Sequence, residues 1–279
     1  MSRLWINGTL IAKNEARVSP FDHGFLYGEG VWESLRAFNG QLFHAEDHIK
    51  NLFSSAESLG IEVPHSLAEL IVAIETTLKV NERVEGYIRV IVTRGAGTIG
   101  PDPRKITPQV IIIAEEYSPF PVELYDCGLH AVVFPTAIDS QTPLFQSRIL
   151  GQPHIPVAKQ YALQNGCLEA LLMNQSGELI GTTEGFLFLV KDGAVVVAAR
   201  QRPDATGYRI AGMAGDRGLV VAEYAIRLPD LFLAEEVFQA GAACGVIGIV
   251  QVDGKPIAAG TEGPVTRTIR EDYRRLTRG

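Results

Sequence analysis

Residues 116–123 read Glu-Tyr-Ser-Pro-Phe-Pro-Val-Glu, and no continuous core element can run through them. Each proline removes a backbone donor, and the stretch has no hydrophobic period. A chain of 279 residues is also long for one hydrophobic core. The break therefore predicts two domains, 1–117 and 125–279, with 118–124 as the junction.

The first half begins with a hairpin signal, Leu4–Ile6 and Thr9–Ile11 around Asn7-Gly8. A glycine-rich loop from Asp22 to Gly30 leads to a strand over 31–38. Asn39-Gly40 then turns the chain into 41–43. Ile49, Leu52, Phe53, Ala56 and Leu59 share one helical face, which predicts a helix over 45–59. Ser66 with Glu69 three residues on is a capping box for a second helix. Strands are expected at 86–93 and 109–114.

The second half opens with a strand at 129–134. A long loop follows from Thr136 to Gln152, a length that usually has a functional reason. A helix is expected over 155–164, with Pro156 in its first turn. Strands follow at 168–173, 186–190, 194–198, 237–239 and 246–252, with a glycine-rich helix at 208–217. The last helix starts at Pro264, and Arg274, Arg275 and Arg278 suit the negative end of its dipole. Strands mixed with segregated helices define an α+β class.

A net charge of −7 argues against nucleic acid or an anionic membrane surface as the main partner. Cys127, Cys167 and Cys244 are odd in number and widely spaced. They suggest neither a disulfide framework nor a metal site, and a reducing cytoplasm is the simplest setting. The N-terminal apolar run breaks at Asn7-Gly8, unlike a signal peptide.

The run Ser19-Pro20-Phe21-Asp22-His23-Gly24-Phe25-Leu26-Tyr27-Gly28-Glu29-Gly30-Val31-Trp32-Glu33 resembles the signature of the fold type IV pyridoxal phosphate enzymes. That family includes branched-chain aminotransferase, D-amino acid aminotransferase and aminodeoxychorismate lyase. The likeness continues through His48, Tyr87-Ile88-Arg89, Ala158-Lys159, Glu169-Ala170, Leu187-Phe188, Lys191-Asp192-Gly193 and Gly263-Pro264-Val265-Thr266. It implies a smaller α/β N-terminal domain, a larger pseudo-barrel C-terminal domain, a site between them, and a homodimer.

The family's cofactor-binding positions are altered in this chain. No lysine lies between Lys105 and Lys159. Counting back from Glu169 by the family's spacing, the Schiff-base position falls at Arg148, or at Ser147 with a one-residue shift, and guanidinium cannot form an imine at neutral pH. The partner of the pyridine nitrogen falls on Gly181. The phosphate-binding positions fall on Asn51, Asp204–Gly207 and Ala242. These departures lead to the expectation that no pyridoxal phosphate is bound covalently and that no cofactor or metal is used.

The reading that follows is a cofactor-independent lyase or isomerase acting on a small anionic metabolite, chorismate-like or an amino or keto acid. Arg148, Arg89 and Arg209 would bind the anion, and Tyr27, His154 or Glu184 would move a proton. The arginines have plainer alternatives: a loop residue in a surface salt bridge for Arg148, a structural ion pair with Glu33 for Arg89, a solvated helix charge for Arg209. Two further readings stay open. One is a pyridoxal phosphate-dependent transaminase with a displaced lysine, for which Lys159 is the nearby amine. The other is a non-catalytic binding protein.

Overall fold

The structure is a computed structural model. It describes residues 2–278, and the side chains of these other than Pro143 and Arg278. The C-terminal charge assigned to Arg278 therefore lies outside the described side chains. The chain clusters into two compact units. One is Met1–Tyr117 with Ser147–Gln152, and the other is Ser118–Gln146 with Pro153–Gly279.

The first unit contains β1 (Arg3–Ile6), β2 (Thr9–Ala12), α1 (His23–Tyr27), β3 (Gly30–Phe38), β4 (Gln41–Leu42), α2 (Ala45–Ser58), α3 (Leu67–Val80), β5 (Gly86–Thr93) and β6 (Gln109–Glu115). Its sheet runs β2-β1-β6-β5-β3-β4, antiparallel throughout. The Asn7-Gly8 turn has both residues at positive φ, 47° and 91°, as a type I′ turn requires. Ser66 caps α3 with the reciprocal Glu69 bond. Along β3, Val31, Glu33, Leu35 and Ala37 point to one side and are buried. There Val31, Leu35 and Ala37 join Ile49 and Leu52 of α2 and Leu70 and Ile74 of α3 in one core. Trp32, Ser34 and Arg36 point to the opposite side, because strand residues alternate.

The second unit contains α4 (Leu124–Cys127), β7 (Leu129–Val133), a 3-10 turn (Pro143–Gln146), α5 (His154–Gln164), β8 (Glu169–Met173), β9 (Glu178–Thr182), β10 (Phe186–Lys191), β11 (Ala194–Ala198), α6 (Ala205–Asp216), β12 (Val220–Tyr224), β13 (Ile226–Arg227), α7 (Leu228–Phe232), β14 (Glu236–Gly241), β15 (Gly245–Val252), β16 (Lys255–Pro256) and α8 (Pro264–Arg278). The sheet order is β12-β11-β10-β14-β15-β7-β8-β9-β13, with β16 on β15. Leu171, Leu187, Leu189, Val237, Ile247 and Ile249 form its main core.

Sequence reading missed α4, β9, β12, β13, α7 and β16. Strand β12 is mostly exposed and pairs only as a parallel neighbour of β11, so its pattern carries no alternation. Helix α6 starts three residues earlier than expected, because Asp204 caps it by accepting from Gly207 N. The glycine-rich loop contains the helical turn α1, capped by Asp22.

The long loop of the second half also differs. Its last residues leave that half and pair with the first unit. Trp32 N donates to Arg148 O at 2.8 Å, Leu150 N donates to Gly30 O at 2.8 Å, and Val31 bridges Ile149. Ser55 and Ser58 of α2 hold the same segment. Arg148 N donates to Ser55 Oγ at 3.1 Å and Ser147 Oγ to Ser58 Oγ at 2.8 Å. Residues 147–150 thus add an edge to β3, which a linear reading of the loop does not anticipate.

Candidate substrate-binding site

In the first unit, β3 and β5 bring a cluster of polar and aromatic groups to one sheet face. Ser34 stands opposite Arg89 in the ladder. Tyr87 OH donates to Ser34 Oγ at 2.8 Å. Arg89 donates from Nε to Ser34 Oγ at 3.3 Å and from an Nη to Tyr87 OH at 3.1 Å. Its guanidinium carbon lies 4.2 Å from the centre of the Trp32 ring. The guanidinium is half-buried, held by two neutral hydroxyls and a ring face, and no carboxylate of the described residues lies within ion-pair distance of it. The suggested pairing of Arg89 with Glu33 is not found.

Arg148 reaches the same indole, with its guanidinium carbon 4.9 Å from the ring centre. Its counter-charge is Glu33, whose Oε2 lies 3.4 Å from Arg148 Nε. Glu33 is 0% exposed and the Arg148 side chain 13%. Glu33 Oε1 accepts from Ser34 N at 2.9 Å and contacts His48 Nδ1 at 3.2 Å. Arg148 is therefore in a buried ion pair rather than a surface one, on a face shared with Arg89.

Tyr27 lies in the first unit but has a structural bond: its hydroxyl accepts from Gly100 N at 2.8 Å. His23, beside it, is buried and touches Glu29 and Thr98 O. Arg94 pairs with Glu29 and caps α2 through Leu59 O and Gly60 O.

His154, Glu184 and Arg209 lie in the second unit. His154 opens α5. Burial, with Arg202 nearby, pushes it down to about 4, and its Nε2 is buried without a hydrogen-bond partner among the described residues. Glu184 lies 3.4 Å from Lys159 Nζ. Arg209 pairs with Asp216 at 3.2 Å on the surface of α6, the solvated helix charge of the plainer reading. Lys159 Nζ also donates to Leu168 O at 2.6 Å and lies 4.9 Å from the Phe120 ring.

Trp32, Ser34, Glu33 and His48 were not singled out from the sequence as site residues. The available signal was the strand period, which places Trp32 and Ser34 on the face of Arg89. Nothing in a linear reading brings Arg148 to that face.

The family model for class IV aminotransferases matches residues 30–252. A putative branched-chain-amino-acid aminotransferase of Methanocaldococcus jannaschii is 33% identical over 98% of this chain and 95% of its own length. A D-alanine aminotransferase of Staphylococcus haemolyticus is 28% identical over 98% of this chain and 97% of its own. The chain belongs to the class IV aminotransferase family. Its fold matches that of a branched-chain amino acid aminotransferase solved in complex with N-(5'-phosphopyridoxyl)-L-glutamate. The TM-score is 0.93 at 27% identity, covering 100% of this chain and 94% of the other.

That complex overturns the expectation of a chain without cofactor. A relative matched along the whole chain holds a phosphopyridoxyl group, and altered residues at single positions do not show that a site is lost.

Proposed function

We propose that this chain is a pyridoxal phosphate-dependent aminotransferase acting on amino and keto acids of the branched-chain or D-alanine type. The observation that carries the reading is Arg89. A half-buried guanidinium without a carboxylate partner, preset by Ser34, Tyr87 and Trp32, offers a fork for a substrate carboxylate. Arg148 adds positive charge on the same face.

Lys159 supplies an amine in the second unit, beside Glu184, and would be the residue that holds the aldehyde carbon. At the N-terminal end of α6 the Asp204 carboxylate takes the Gly207 N–H. When bound, pyridoxal phosphate supplies an electron sink for proton loss at the amino-acid α carbon. The chain's own contribution is orientation: Arg89 fixes the carboxylate, while Ser34 and Tyr87 fix Arg89.

The lyase or isomerase reading lacks comparable support among its proposed proton carriers. Tyr27 OH accepts a backbone N–H, His154 is held neutral at pH 7, and Glu184 is paired with Lys159. A homodimer belongs to the proposed reading. Phe25 and Ile99, 73% and 80% exposed, offer apolar surface suited to a second copy.

The test is keto-acid formation by protein supplied with pyridoxal phosphate, a 2-oxo acid and either L-leucine or D-alanine. Turnover is expected, with the near-visible absorbance of bound cofactor abolished in Lys159→Ala. Arg89→Gln should raise KM for the carboxylate substrate. Protein that takes up no cofactor and transaminates neither donor would refute the proposal.

A further inference from the structure

Beside α2 the first unit has a cleft of about 760 Å³, a size at which clefts hold ligands. Lys50, Phe53, Ser54 and Glu57 line it from α2, at the i, i+3, i+4 and i+7 spacing of one helical face. The Gly60–Val63 connection and Leu67 of α3 supply the rest. Its walls are apolar: Ile61 belongs to the core, and Phe53, Val63 and Leu67 pack against that core while staying partly exposed. The polar groups around these walls are unevenly matched. Lys50 is engaged by Glu46, one turn earlier on α2, at 3.5 Å. Glu57 and Glu62 are exposed and form no ion pair or hydrogen bond within the described residues. The uncompensated charge of the cleft is therefore negative. The connection also leaves its backbone unused, since the N–H and C=O groups of Glu62 and Val63 make no hydrogen bond within the described residues.

We propose that this cleft binds a peptide segment of a partner protein in which apolar side chains are flanked by lysine or arginine. Phe53, Val63 and Leu67 take the apolar side chains, and Glu57 and Glu62 face the basic ones. The open N–H and C=O groups of Glu62 and Val63 pair with the main chain of the segment, as in recognition by strand addition. The same two carboxylates repel phosphate, so neither a nucleic acid nor an anionic lipid surface suits the cleft. The chain's net charge of −7 favours encounter with a basic partner. Exposed ion pairs each add little affinity. Apolar contact and main-chain bonds supply the binding, and the acids select the partner. None of the residues lining the cleft belongs to the Trp32 face, so the site stands independently of the aminotransferase reading.

The test is a fluorescence-anisotropy titration of the purified full chain with three fluorescein-labelled peptides. They are Lys-Leu-Arg-Val-Lys-Gly, the acidic Glu-Leu-Glu-Val-Glu-Gly, and Lys-Ser-Arg-Ser-Lys-Gly, which lacks apolar side chains. The first should bind roughly tenfold or more tightly than either of the others. N-methylation of its leucine and valine nitrogens should weaken it roughly threefold or more, because main-chain donors are lost. Replacing both Glu57→Gln and Glu62→Gln should weaken it roughly three- to tenfold at low salt, and high salt should remove that difference. Ser54→Arg, at an exposed position of the cleft, should abolish binding by placing a cation there. These substitutions are on the surface, and melting curves confirm folding. No binding of the first peptide to wild type, equal binding of the acidic or the methylated peptide, or unchanged affinity in either variant overturns the proposal. So does a dimer, seen by light scattering, that the peptide or Ser54→Arg splits, because a second copy would then be the occupant.

Discussion

Removing either arginine from the Trp32 face deletes the same side chain, yet the two deletions should differ in stability. Arg148→Gln leaves the Glu33 carboxylate buried at 0% exposure, with Ser34 N and His48 as its partners among the described residues. Breaking a buried pair by removing one member costs about 3–5 kcal/mol. The two remaining partners reduce this to about 2–3 kcal/mol, allowing about 1 kcal/mol for a retained hydrogen bond. Arg89→Gln strands no carboxylate. Its hydroxyl partners already bond each other at 2.8 Å, and the lost ring contact contributes about 0.5–1 kcal/mol. At roughly 2–4 °C per kcal/mol for a chain of this size, Arg148→Gln should melt about 5–10 °C below wild type and Arg89→Gln about 1–4 °C below. Substrate binding should rank the other way. Losing a charge-assisted bond to a carboxylate costs about 1.5–3 kcal/mol, which is roughly ten- to a hundredfold in KM for Arg89→Gln. The assays are thermal melts followed by circular dichroism and initial rates against the carboxylate substrate. Equal melting losses in the two variants, or a larger loss in Arg89→Gln, would show that the Glu33 charge does not depend on Arg148.

Two other expectations concern single elements. His154 is pushed down to about 4 by burial, below its value in an unfolded chain of about 6.5. Between those two values the unfolded state binds more protons, so stability falls as pH drops from about 6.5 towards 4 and is unaffected above; melts from pH 4 to 7 should show this slope flattened in His154→Gln, and parallel curves would contradict it. Ser66→Ala removes the hydroxyl that accepts from Glu69 N and leaves the reciprocal bond from Ser66 N to the Glu69 carboxylate; it should cost about 1 kcal/mol, read as a lowered denaturant midpoint with an unchanged slope.

The local elements with strong chemical signals could be read directly. Asn7-Gly8, Ser66 with Glu69, and the apolar stripe of α2 are short-range patterns, in which neighbouring residues satisfy each other's backbone and packing needs. The elements that were missed depend on distant partners. Strand β12 exists because β11 offers it a parallel edge, and β13 because it pairs with β9. The site divides in the same way. Arg89 could be picked out because it lies next to Tyr87 on a strand the sequence predicts; that it stands opposite Ser34 came only from the register of the sheet. Arg209 could be picked out too, but its surface pair with Asp216 carries no signal that separates it from a binding residue.

The sequence alone determined the family, the two-part α+β organisation and the absence of a lysine between 105 and 159. Those features depend on residue identity and order. Only the tertiary structure decided where Arg148 goes. Its segment is an edge partner of β3 held by Ser55 and Ser58, and its charge is matched by a glutamate more than a hundred positions earlier. Backbone pairing and ion pairing both act through space. A side chain's charge environment is therefore set by the residues folded against it rather than by its neighbours in the chain.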